Sequence, residues 1–226
     1  MPNRKIAQKN FSEEKLQKND NISKIQISNF APLLLFLLLI IFFALAIFNI
    51  QNLQSQNKKQ ESDSYLQEIF AHQKFPNVDK KYFVSIKTAD FTLSQLDNKK
   101  NLVNRSNFIG KTIIVNFFAS WCNSCRNEHQ SLFKLQKDIK NNALLYGVTW
   151  QDIRKNTRKF INKEGNPFTD IFVDDNKNLS KYINLNAIPE TIILNKEGRI
   201  IWHYKGELQD NIVDEIIKIV NFLNSL

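Results

Sequence analysis

The sequence predicts an α/β fold: a mixed central sheet flanked by helices, with a β-hairpin on its N-terminal side and a single transmembrane helix ahead of it. Three observations carry this reading. An uncharged apolar run occupies residues 30–48. From residue 112 onward, strand-like apolar runs alternate with segments of helical periodicity. The last two strand-like runs are joined by a short turn containing Gly198, and a tight turn joins only antiparallel neighbours, so the sheet is mixed.

The apolar run reads FAPLLLFLLLIIFFALAIF. About 20 such residues, rising 1.5 Å each, cross a hydrocarbon core of roughly 30 Å. A buried core helix fits poorly, because the run is apolar on every face. Pro32 stands at its start, where a helix tolerates proline. Residues 30–50 are therefore read as the span. Arg4, Lys5, Lys9, Lys15, Lys18 and Lys24 precede it, while uncharged Asn and Gln follow, so the N-terminus is expected in the cytoplasm and the rest of the chain outside it. Ala44-Leu45-Ala46 spells a signal-cleavage pattern, but it lies inside the apolar run, which favours a retained anchor. Residues 1–29, polar and poor in aromatics, are read as a cytoplasmic tail without fixed structure. Residues 51–80, rich in Gln, Asn, Lys and Ser, are read as a tether. Tyr65, Leu66, Ile69 and Phe70 could also line one face of a short helix there. Residues 81–226 form the folded domain.

Within that domain, Phe91 to Leu93 and the segment up to Arg105 suit a β-hairpin. Thr112–Phe118 is a continuous β-rich run, as a buried parallel strand should be. After a turn at Ala119–Trp121, Leu132, Leu135 and Ile139 recur at helical spacing. Ala143–Thr149 is a second strand. Arg154–Glu164 is a helix stopped by Gly165-Asn166-Pro167. Ile171–Val173 is a third strand and Leu179–Leu185 a helical turn. Thr191–Leu194 and Ile200–Tyr204 flank the hairpin turn. Asp210–Leu223 closes as an amphipathic helix burying Ile212, Ile216, Ile219, Val220 and Leu223. This is the element order of the thioredoxin fold.

The net charge of +9 invites a nucleic-acid reading. Acidic residues are interleaved with the basic ones and no long basic stripe appears, so nucleic acid is not expected as a partner. The joint excess of Lys, Asn, Ile and Phe is what A/T-rich codons produce.

Only two cysteines occur, Cys122 and Cys125, so no structural disulfide framework is possible. They fall where the first core strand ends and a helix begins. A helix N-terminus offers free N–H groups and about half a positive charge, which favour a thiolate. Cys122 is therefore the expected nucleophile, and Cys125, one turn in, the resolving thiol. Haem attachment needs C-x-x-C-H, whereas position 126 is Arg. Zinc usually needs four ligands, and Cys122, Cys125 and His129 supply at most three. No metal and no cofactor is expected. Pro189 precedes a strand; in a thioredoxin fold it implies a cis Ile188–Pro189 bond that sets the Ile188 backbone beside Cys122, where an extended substrate can pair.

On these residues the chain resembles the CcmG/DsbE family, the thioredoxin-like reductases of cytochrome c maturation. The similarity runs from about Phe91 to the C-terminus. It rests on Val115-Asn116-Phe117-Phe118-Ala119-Ser120-Trp121-Cys122-x-x-Cys125-Arg126-x-Glu128-His129, on Gly147-Val148-Thr149-Trp150-Gln151-Asp152, on Gly165-Asn166-Pro167-Phe168, on Ile188-Pro189-Glu190-Thr191 and on Gly198-Arg199-Ile200-Ile201. The resemblance implies a periplasmic, membrane-tethered reductase. It would keep the CxxCH cysteines of apocytochrome c reduced, directly or through maturation partners, and draw electrons from a membrane donor of the DsbD/CcdA type. It marks Glu128 and Glu190 as acidic features of the site. It sets Glu128 among the catalytic residues with Cys122, Cys125 and Pro189, and Glu190 among those expected to contact substrate with Trp121 and Ile188. Carboxylates near sulfur disfavour the thiolate; the plainer reading of Glu128 is a solvated first-turn acid. Trp121 either packs on substrate or joins the core. His129 and Asp152 have no assigned role. Asn123-Ser124 lacks the proline common between such cysteines, and Asn116 stands where thioredoxins place a buried Asp. A TlpA/ResA-type reductase serving another client, such as copper-site assembly, is the second reading. A redox-inactive tethered binding module is the third.

Overall fold

The computed structural model describes residues 3–71, 75–139 and 141–226, with side chains from Pro32 onward. It divides into two compact units, Met1–Lys59 and Gln60–Leu226.

Helix α1 spans Asn3–Ala71. It begins within the stretch expected to lack structure (1–29), and the side chains of residues 1–31 lie outside those described. The run from Asn3 to Ala71 holds no glycine and one proline, and its Lys, Gln, Glu and Leu are good helix formers. Pro32 sits inside α1, not at a helix start. The part beginning at Pro32 is long and apolar enough to cross a membrane, with none of its most apolar window buried.

The second unit is built on one eight-stranded sheet. Its strands are β1 (Phe83–Lys87), β2 (Thr92–Gln95), β3 (Leu102–Asn104), β4 (Ile113–Phe118), β5 (Leu144–Thr149), β6 (Asp170–Val173), β7 (Glu190–Leu194) and β8 (Arg199–Lys205). They lie in the order β1-β8-β7-β4-β5-β6-β2-β3. β4, β5 and β6 are parallel. β7 runs antiparallel to β4 and β8, so the sheet is mixed as predicted. The β2–β3 hairpin is present and caps the β6 edge. At the opposite edge β1 pairs with β8. β1 has no distinct signal in the sequence, although Phe83 and Ser85 are buried in alternation.

The helices of this unit are α2 (Asn123–Asn127), α3 (His129–Ile139), α4 (Arg154–Glu164), α5 (Asn178–Tyr182) and α6 (Asp210–Ser225). The single helix expected after the cysteines is broken at Glu128 into α2 and α3. Side chains alternate across β4. Ile114 and Phe118 join one core with Leu132 and Leu135 of α3, Phe160 of α4, and Val213 and Ile216 of α6. Ile113, Val115 and Phe117 join the other, with Phe91, Phe108, Leu179 and Leu185. A central strand packed on both faces must be apolar throughout, which is why its run is continuous.

The last turns of α1 also belong to this domain. Ile69 is buried, and Tyr65, Leu66 and Phe70 pack against the first core. Arg199 pairs with Glu61 at 2.7 Å and lies over the Tyr65 ring, while Tyr65 and Asn195 share a hydrogen bond. The tether expected over 51–80 is therefore corrected: from Gln60 on, apolar side chains at helical spacing are better buried than solvated.

Candidate functional site

β4 delivers the chain to the site. After Phe118 the backbone turns at Ala119–Trp121, and Cys122 caps α2 with extended dihedrals. Cys122 and Cys125 form a disulfide with Cα atoms 5.3 Å apart. Cys122 Sγ accepts the Cys125 N–H at 3.1 Å. That contact would favour a thiolate at Cys122 in the reduced protein. Both cysteines are buried, Cys122 at 5% exposure and Cys125 at 2%.

The Ile188–Pro189 bond is cis. The Ile188 carbonyl oxygen lies 3.9 Å from Cys122 Sγ, and Pro189 brings no N–H to the sulfurs. Ile188 is half-buried. Trp121 is 54% exposed, which removes the core reading. Its indole N–H donates to the Gln151 carbonyl at 3.0 Å.

Glu128 is 1% exposed, so the solvated first-turn reading is corrected. Oε1 accepts Asn116 Nδ2 at 2.9 Å and Oε2 accepts the Leu208 N–H at 2.8 Å. Burial pushes its carboxyl up to about 7. The Leu208 and Asn116 hydrogen bonds pull the other way, and nearby Glu207 adds to the rise. The acid sits one turn beyond Cys125 and titrates near neutrality. Asn116, at the place of the thioredoxin Asp, gives its second N–H to Thr191 Oγ1 at 3.1 Å, leaving its Oδ1 without a partner.

Glu190 lies elsewhere. It is 2% exposed on the opposite face of the sheet from Glu128, where Oε2 meets His203 Nε2 at 2.6 Å and Oε1 meets Lys205 Nζ at 3.4 Å. The resemblance sets Glu190 among the residues that contact substrate; in the structure its buried carboxylate meets donors that the register brings from β8. Burial lowers the His203 pKa below its usual value, against the pull of Glu190. Period-2 alternation along β8 was the one signal that could have revealed His203.

His129 is structural. Its Nε2 meets the Gly165 carbonyl at 3.0 Å, and its ring packs on Phe133 and Phe160. Among the described residues no group of three or more His, Cys, Asp or Glu could hold a metal ion.

The chain is 32% identical over 108 residues to the thiol:disulfide interchange protein HelX of Rhodobacter capsulatus, a match covering 48% of this chain and 60% of HelX. It is 29% identical over 132 residues to the thiol:disulfide interchange protein DsbE of Allochromatium vinosum, covering 58% and 72%. The chain thus spans three fifths of the length of the first relative. These names agree with the CcmG/DsbE resemblance. Among solved structures, the thioredoxin domain of a thiol-disulfide oxidoreductase from Bacteroides vulgatus superposes with a TM-score of 0.51 at 24% identity, covering 59% of this chain and 94% of that one. That likeness shows the thioredoxin fold. A family model described as Redoxin matches residues 73–217, well over half of the sequence, so this chain belongs to the Redoxin family.

Proposed function

We propose that this chain is a membrane-tethered thiol–disulfide reductase of cytochrome c maturation, with its N-terminus in the cytoplasm and its catalytic domain in the periplasm. The observation that carries the reading is the Cys122–Cys125 pair at the start of α2, with the Ile188 carbonyl on one side and buried Glu128 one turn beyond. In the reduced protein, Cys122 thiolate attacks a client disulfide. One client sulfur leaves as a thiolate, and a mixed disulfide forms. Cys125 loses its proton, for which Glu128 is the base at hand, and attacks Cys122 Sγ. The second client sulfur leaves, and the Cys122–Cys125 disulfide holds the oxidising equivalents. The client gains two electrons and two protons. A membrane dithiol donor of the DsbD/CcdA type would reduce the pair again. The client fitting the resemblance is the CxxCH segment of apocytochrome c, or a maturation partner carrying its disulfide. Such a segment would lie along the Ile188 backbone with Trp121 beside it.

Trapping tests this directly. Cys125→Ser should accumulate a mixed disulfide with apocytochrome c, because the resolving thiol is gone, whereas Cys122→Ser should lose disulfide reduction and trap nothing. Trapping by Cys122→Ser instead would reverse the assignment. Capture of copper-site proteins without apocytochrome c would move the client to the TlpA/ResA type.

A further inference from the structure

The loop that presents Cys122 is gripped from outside by the turn that follows β5. Asp152 Oδ2 accepts the Ser120 backbone N–H at 2.8 Å. The buried Thr157 hydroxyl donates to the same oxygen at 2.9 Å, and Asp152 Oδ1 accepts the Ile153 N–H at 2.8 Å. The preceding residue, Gln151, has φ 50° and turns its carbonyl onto the Trp121 indole. The carbonyl of Ser120 is held as well, by Arg126 Nη2 at 3.1 Å. Arg126 is itself fixed by Glu164 at 2.7 Å and by the Phe160 ring.

Ser120 and Trp121 are thus held at three points, and Cys122 follows at once. Among the described residues no cation pairs with Asp152. Three donors converge on this half-buried carboxylate, so its work in the fold is to accept hydrogen bonds and not to balance charge. Two of those donors, Ile153 and Thr157, fix the carboxylate. The third, Ser120, is the group it positions. Small displacements of a reacting group are costly to a reaction that depends on alignment, and sulfur exchange needs the attacking sulfur in line with the disulfide.

We propose that Asp152 is a positioning residue for thiol–disulfide exchange: it locks the Ser120–Trp121 backbone and so sets the direction from which Cys122 Sγ meets an incoming disulfide. This rests on the oxidoreductase reading of the cysteine pair. Thr157 belongs to the same device, since its hydroxyl keeps the carboxylate turned toward Ser120.

The test uses the full chain in detergent, reduced beforehand, with a disulfide-bonded peptide of CxxCH pattern as probe. Three quantities are read: kcat/KM for peptide reduction, the pH midpoint of Cys122 alkylation by iodoacetamide, and the urea midpoint. Asp152→Ala should lower kcat/KM by about tenfold, the scale of a lost alignment, and leave the alkylation midpoint in place. Asp152→Asn, which keeps an acceptor oxygen for Ser120 but no charge, should recover activity to within about twofold of the parent. Thr157→Val, close to isosteric, should lose about threefold with little change in urea midpoint, and it carries the test if Asp152→Ala does not fold. Parent-like kcat/KM in Asp152→Ala or, where that variant does not fold, in Thr157→Val would overturn the proposal. So would an Asp152→Asn variant as slow as Asp152→Ala, because charge would then be the operative property. A parent protein with no peptide reduction at all would instead count against the oxidoreductase reading.

Discussion

At the scale of one residue, Glu128 is a buried acid one turn beyond Cys125. Its folded carboxyl sits at about 7 against an ordinary 4.5 because it is buried. Between those values the unfolded chain has released the proton and the folded one has kept it. Stability from this group therefore falls as pH rises through that window, by roughly 3 kcal/mol in all, at about 1.4 kcal/mol per pH unit. Glu128→Gln should flatten that slope, and urea unfolding at pH 5 and pH 8 will show it; equal slopes in parent and variant would place the acid outside the site's proton balance. The variant can be accommodated because Asn116 Oδ1 lacks a donor: a half-turn of the Asn116 amide would offer it to the new Gln N–H, as it would to protonated Glu128. A carboxylate near the sulfurs disfavours the thiolate and makes the pair more reducing. Glutathione equilibration should therefore find Glu128→Gln more oxidising than the parent above pH 7, with the difference closing below it.

Two elements bear on the stability of the domain. In β5, Gly147 lies against the stacked Phe118 and Phe168 rings, and an added Cβ would come within 2.8 Å of Phe118 and 2.9 Å of Phe168. Gly147→Ala should cost about 1–3 kcal/mol, as overpacking does, and lower Tm by several degrees. An unchanged Tm would mean that the rings yield freely. The last turns of α1 act at the other end of the domain. A chain starting at Phe75 loses the burial of Ile69 and the packing of Tyr65, Leu66 and Phe70, where one fully buried Leu or Ile is worth about 1.5–3 kcal/mol. It should unfold at lower urea than a chain starting at Gln60. Matching midpoints would return residues 60–71 to the role of a tether.

For the whole molecule, the division at Lys59 and Gln60 predicts that residues 60–226 fold without the apolar helix and keep redox activity. Loss of that helix should still weaken function in cells, since tethering raises local concentration near membrane partners. A truncated domain that cannot fold would make the apolar helix part of its core. The direction of electron flow belongs to this scale too. A potential near that of thioredoxin, about −270 mV, fits a reductase, while one near that of DsbA, about −120 mV, would make the protein an oxidant.

The apolar helix, the alternation of strands and helices from β4 onward, the hairpin turn at Gly198, the cysteine pair at a helix start and the X-Pro bond before β7 were legible in the sequence, whereas β1 and the break between α2 and α3 were not. Each legible feature is set by near neighbours: a hydrophobic period, a turn residue, a helix start beside Cys122, an X-Pro bond. What only the tertiary structure decided involves partners distant along the chain. Glu128 meets Leu208 80 residues on, Ser120 meets Asp152 at a separation of 32, and Glu61 meets Arg199 at 138. The sequence named Glu128, Glu190 and Asp152 but could not say which was buried beside Leu208, which met a histidine and a lysine across β8, and which held a backbone amide. Those outcomes depend on burial and register across the sheet, and a carboxyl group's chemistry follows its surroundings more than its identity.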